Sequence, residues 1–178
     1  MPAAEPFSRI VRVDTLPKEG KTVALEATEA ERNALATFLK LPSIEALCAS
    51  LTLKRSTRGG VRVTGAIHVE LTQTCVVSLE PFSGAIDEDI DVRFAPPAPA
   101  ADPELSRAGD GELEMSESDA PDPLIDGRID LGALATEFVA LGLDPYPRRP
   151  GVTFEPPSDG AGSVKPFSAL RSAHKKAD

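Results

Sequence analysis

The chain has 178 residues, no tryptophan, and aromatic side chains at only 4% of positions. Any core must therefore be assembled from Val, Ile, Leu and Ala within a hydrophobic fraction of 41%, which suffices for one domain of ordinary size. Two cysteines, Cys48 and Cys75, are too few for a disulfide framework. No stretch approaches the roughly 20 apolar residues of a membrane-crossing helix. The first nine residues contain Glu5 and no apolar run, unlike a signal peptide. These absences lead to the expectation of a cytoplasmic protein. Basic residues are also scarce, 19 against 28 acidic ones, for a net charge of −9. That balance disfavours a protein that coats nucleic acid nonspecifically, because phosphate binding needs clustered Lys and Arg.

Catalytic signatures are missing as well. There is no Gly-x-Ser-x-Gly, no P-loop and no dinucleotide fingerprint. Of the two histidines, His68 falls at an outward position of a regular strand pattern and His174 lies near the end of the chain. Neither position provides the held geometry of a general base, so no catalytic residue is assigned and no enzyme is expected. Cys75-Val76-Val77-Ser78 has the spacing of a Cys-x-x-Cys knuckle, but Ser78 replaces the second thiol. A structural zinc takes four Cys or His ligands, so neither a metal nor a cofactor is expected. Asp87, Asp89 and Asp91 alternate along one strand face. They suggest a divalent-ion site less than a solvated strand kept from aggregating by charge.

What is abundant is proline, 17 residues, more than regular structure tolerates. Residues 96–123 form an acidic, proline-rich segment. Between Asp102 and Asp126 nine acidic residues face Arg107 alone. Leu105, Leu113, Met115 and Leu124 are too sparse to offset the entropy of ordering that segment, so a disordered linker is expected there. It is either a plain spacer or a phosphate mimic that attracts basic partners. Residues 155–178 read as a flexible tail whose end carries Lys175 and Lys176. One domain spanning 1–178 accommodates both segments.

Phe7 to Val13 and Thr22 to Glu26 read as short strands. Thr28-Glu29-Ala30-Glu31 is a capping box opening a helix with Leu35, Phe38 and Leu39 on one side, limited by Pro42. Ile44 to Leu53 fits both helical and strand spacing. Val61 to Thr72 then alternates as a half-buried strand, and Thr57-Arg58-Gly59-Gly60 supplies turn glycines, so a long hairpin accounts for both runs. Glu80 to Gly84 reads as a turn, followed by a third strand with Ile86, Ile90, Val92 and Phe94 on one face. A last helix begins after Asp130 as N-cap, with Leu131, Leu134, Phe138 and Leu141 recurring and Gly142 at its end. Strands and helices segregate. This predicts an α+β fold, an antiparallel sheet (open or barrel-like) with two or three packed helices.

Gln73-Thr74-Cys75-Val76-Val77-Ser78-Leu79-Glu80-Pro81 at a strand end is followed by the acidic gap. Ile129-Asp130-Leu131-Gly132-Ala133-Leu134, then Leu141-Gly142-Leu143-Asp144-Pro145-Tyr146-Pro147, and finally Lys165-Pro166-Phe167-Ser168-Ala169-Leu170 come after it. In order and spacing this resembles the YceD family, the large ribosomal RNA subunit accumulation proteins, particularly its alphaproteobacterial branch, over about residues 7 to 175. The resemblance implies a bacterial factor needed for accumulation of large-subunit ribosomal RNA. Many members carry two cysteines in the strand-end motif. Here Ser78 occupies the second position, so metal binding is not carried over. The candidate partner-binding residues are Gln73, Cys75, Leu79, Pro81, Asp144, Tyr146, Arg148, Arg149 and Phe167. The expected partner is a basic ribosomal protein or an assembly intermediate of the large subunit, without membrane contact. The alternative is direct binding of ribosomal RNA through the basic tail with Arg148 and Arg149.

Overall fold

A computed structural model describes residues 6–56, 59–96 and 121–154. The acidic residues 97–120 and the tail 155–178, with the expectations of disorder attached to them, lie outside the described residues.

The order of elements is β1 (Ile10–Arg12), a single 3₁₀ turn, β2 (Lys21–Glu26), α1 (Glu29–Leu39), β3 (Ser43–Arg55), β4 (Val61–Thr74), β5 (Pro81–Ala95), β6 (Asp122–Pro123), β7 (Arg128–Asp130) and α2 (Leu131–Gly142). The long strands form an antiparallel meander in the order β2-β3-β4-β5, and β6 adds in parallel at the end of β5. The sheet is open, and β1 pairs separately with β7. The fold is thus α+β, without barrel closure. Asp122–Pro123, at the end of the acidic proline-rich stretch, is the piece that pairs with Phe94 and Ala95.

Period-two alternation dictates the burial. Leu47, Ala49, Leu51 and Leu53 of β3 and Val61, Val63, Ile67, Val69 and Leu71 of β4 all point to one face and are buried. Each fully buried Leu or Val contributes about 1.5–3 kcal/mol. Both helices cover this inner face, α1 against β3 and α2 against β4 and β5. Gly65 sits mid-strand because a Cβ there would lie 2.0 Å from the Ser50 carbonyl oxygen. Only glycine permits that approach of β3 and β4.

The Thr28 capping box forms as the sequence indicates. Its Glu31 carboxylate also takes both ends of the Arg9 guanidinium, at 2.6 and 3.0 Å. The Arg9 bonds and then the Thr28 backbone N–H hold Glu31 down to about 2. At the other helix, the Asp130 side chain accepts from the N–H groups of Gly132 and Ala133 and from Ser8 and Arg9. Burial works to raise its pKa, but these donors outweigh it and the net shift is downward.

Three expectations are corrected. Phe38 is 58% exposed, because α1 packs through Leu35, Ala36 and Leu39 and Phe38 lies to the side of that stripe. Leu141 is 74% exposed. At 3.6 residues per turn the stripe begun by Leu131 returns at Gly142, where a Cβ would stand 2.8 Å from both Ile86 and Glu88 side-chain atoms. The turn expected over Glu80 to Gly84 lies earlier, at Cys75 to Leu79, and Pro81 already pairs with Thr74 as the first residue of β5.

Candidate functional site

The turn joining β4 to β5 is where two distant motifs meet. The N–H of Cys75 donates to the Glu80 carbonyl and the N–H of Leu79 to the Cys75 carbonyl, both at 2.9 Å, closing a tight knuckle. The chain leaving α2 lies against it: the N–H of Val76 donates to the Pro147 carbonyl at 2.9 Å. Asp144 shapes that approach, its carboxylate accepting from the Tyr146 N–H at 2.8 Å. An ion pair of 2.9 Å between Arg149 and Glu80 ties the two segments from the side.

Cys75 is the hinge of this assembly. Its side chain is inaccessible to solvent, and its sulfur accepts from the N–H of Ser78 at 3.5 Å and of Arg149 at 3.4 Å. The Ser78 hydroxyl and these N–H donors pull the thiol down to about 6, against the opposing effect of burial. Sulfur therefore joins the knuckle to the segment after α2 as a shared hydrogen-bond acceptor. Ser78, at the position of the absent second cysteine, also receives the Glu80 N–H at 3.4 Å. Among the described residues no group of three or more His, Cys, Asp or Glu side chains could hold a metal ion.

Besides the Arg149–Glu80 ion pair, the knuckle displays apolar side chains. Leu79 has φ of +59° and is 75% exposed, while Val76 and Tyr146 are exposed beside it. Left-handed backbone costs a residue with a Cβ about 1–2 kcal/mol. Beside the knuckle a cleft of about 280 Å³ runs between Leu41 and Pro42 on one side and Gln73, Asp144 and Pro147 on the other. Of the candidate residues, Gln73, Cys75, Leu79, Pro81, Asp144, Tyr146, Arg148 and Arg149 thus lie on or beside the knuckle, although the two groups are more than sixty positions apart in sequence. Phe167 lies outside the described residues.

Sequence reasoning missed a second grouping. Strand register aligns Glu26, Cys48, His68 and Asp87 in one row across the outer face of the sheet. His68 Nδ1 bonds Asp87 at 2.6 Å, which raises its pKa above the ordinary value. Only pairing register, not any single segment, carries that signal. The Asp87, Asp89 and Asp91 side chains accordingly differ: Asp91 is held by Arg62, its Nε at 2.7 Å, and Asp87 by His68.

No helix among the described residues is long and apolar enough to cross a membrane. Compared with known proteins, the chain matches neither a curated protein nor a solved structure. The family model described as Large ribosomal RNA subunit accumulation protein YceD matches residues 63–178, from β4 to the end of the chain, and so includes both halves of the knuckle. The chain belongs to the YceD family of large ribosomal RNA subunit accumulation proteins.

Proposed function

We propose that this chain is a cytoplasmic, non-catalytic accessory factor in assembly of the large ribosomal subunit, and that it holds a basic ribosomal protein at the knuckle. The family's role in accumulation of large-subunit ribosomal RNA sets the process. The observation that carries the binding reading is Leu79, an apolar side chain kept in left-handed backbone and three-quarters exposed. Strained residues persist where the surroundings over-determine them, commonly at ligand clamps. Val76 and Tyr146 are also exposed in the two segments of the knuckle, and tyrosine is a side chain that protein interfaces favour. The nine acidic residues between Asp102 and Asp126 supply charge attraction for a basic partner.

Leu79→Gly is the decisive variant, since glycine adopts the same backbone at no cost. Capture of purified basic large-subunit ribosomal proteins by the full chain should fall at least about fivefold, the loss of roughly 1 kcal/mol of contact, with the fold intact. Deleting residues 102–122 should weaken the same capture and its salt dependence. Undiminished capture by both variants removes the reading. Direct RNA binding through the tail, Arg148 and Arg149 is disfavoured by the Glu80 carboxylate that already engages Arg149. Steeply salt-dependent RNA affinity that is lost with the tail would restore it.

A further inference from the structure

The outer face of the sheet carries the row of Glu26, Cys48, His68 and Asp87. No described element covers it, since both helices pack on the inner side. Next to the Glu26–Cys48–His68–Asp87 row, the register places Ala24, Ser50, Ala66 and Asp89 side by side. Three of those four side chains have almost no bulk, so the surface dips toward the backbone and leaves a trough of about 640 Å³. Carboxylates stand at both flanks, Glu26 from β2 and Asp87 and Asp89 from β5, and neither Lys nor Arg lines it. Asp87 is engaged by His68. Arg62 lies farther along β4, beyond the trough, and is held by Asp91.

The geometry points to this trough as a docking site for an extended, lysine- or arginine-rich polypeptide segment. Four strands at about 4.8 Å spacing give a floor that accommodates about four or five extended residues. Small floor residues admit a backbone, and the flanking carboxylates meet its cationic side chains at both edges. A phosphate backbone would face these carboxylates with neither Lys nor Arg in the trough to compensate, and His68 there is already engaged by Asp87. The inference rests on the reading that the partner is a basic protein, but it names a different surface from the knuckle.

Backbone-amide NMR of the full chain, titrated with a short oligolysine peptide, tests it residue by residue. The amides of Ala24, Ser50, Ala66 and Asp89 should shift. The Asp87→Asn/Asp89→Asn double variant should weaken that response roughly tenfold, the scale of losing charge pairs at a docking face. Ala66→Arg, which puts a cation and bulk on the floor at an exposed position, should abolish it. Shifts confined to residues 102–122, or a response unchanged in both variants, overturn the proposal. So does the same set of amides moving when residues 155–178 are deleted without peptide, which would give the trough to the chain's own tail, or moving with an oligouridylate. Leu79→Gly should leave the oligolysine response unchanged, so that failure at the knuckle and failure at the trough read separately.

Discussion

The two turns of the meander solve one geometric problem in different ways. Between β3 and β4 the Ser56 N–H donates to the Gly60 carbonyl at 2.8 Å, and Gly59 takes the left-handed position with φ of +78°. Between β4 and β5 the left-handed position belongs to Leu79, at +59°. At Gly59 a Cβ would meet only Pro96, at an ordinary 3.5 Å, so glycine is there for its backbone freedom. The other described non-glycine residues with positive φ are Lys40, which caps α1, and Asp126, of a type that tolerates this region. Leu79 has neither excuse. The first turn is a connection. The second keeps an exposed Leu79 in left-handed backbone, beside a buried sulfur and a second chain segment.

The largest effect that sharpens this contrast should come from the sulfur. Cys75→Ala leaves the N–H groups of Ser78 and Arg149 without their acceptor, a loss of about 1–3 kcal/mol, read from the midpoint of chemical denaturation. Cys48→Ala, at an exposed position, should stay within about 0.5 kcal/mol. Exchanging the turn residues comes next. Gly59→Leu should cost about 1–2 kcal/mol and spare partner capture, while Leu79→Gly should raise stability by up to about 1 kcal/mol. Equal destabilisation by the two would make the turns equivalent and erase the distinction.

The left-handed backbone of Leu79 was not legible in local sequence patterns, for a physical reason. Alternation in β4 and the third strand, the Thr28 capping box and the Asp130 N-cap are local patterns, and the sequence resolves them because period and capping chemistry act within a few residues. The α2 stripe was legible for Leu131 and Leu134 but not at its end, since Leu141 and Gly142 differ by only one residue and the close approach of β5 decides between them. Placing the turn at Glu80 to Gly84 followed the pull of proline and glycine. Here Pro81 instead opens a strand, with φ suited to its first residue and no ladder N–H needed. The motif residues were identifiable through the family pattern, yet their meeting at one sulfur depends on a contact between Cys75 and Arg149 that no spacing rule encodes. The outer trough was hidden for the same reason, because its four-residue rows exist only in cross-strand register.

The pH dependence separates the turns by charge. In the folded chain the Cys75 thiol is lowered from 9.0 to about 6, first by the Ser78 hydroxyl and then by the N–H donors. A depressed acid pKa means that the unfolded chain binds the proton more tightly than the native one, so stability rises with pH through that interval. The contribution is fully present above pH 9 and is gone below about 6. The Gly59 turn has no such group. In a Cys48→Ser background, the denaturation midpoint relative to a Cys75→Ser variant, whose hydroxyl does not titrate, should therefore widen steadily from pH 6 to pH 9. A pH-independent gap would mean that Cys75 accepts its two N–H bonds as a neutral thiol. The knuckle would then differ from its counterpart only in the side chain that Leu79 displays.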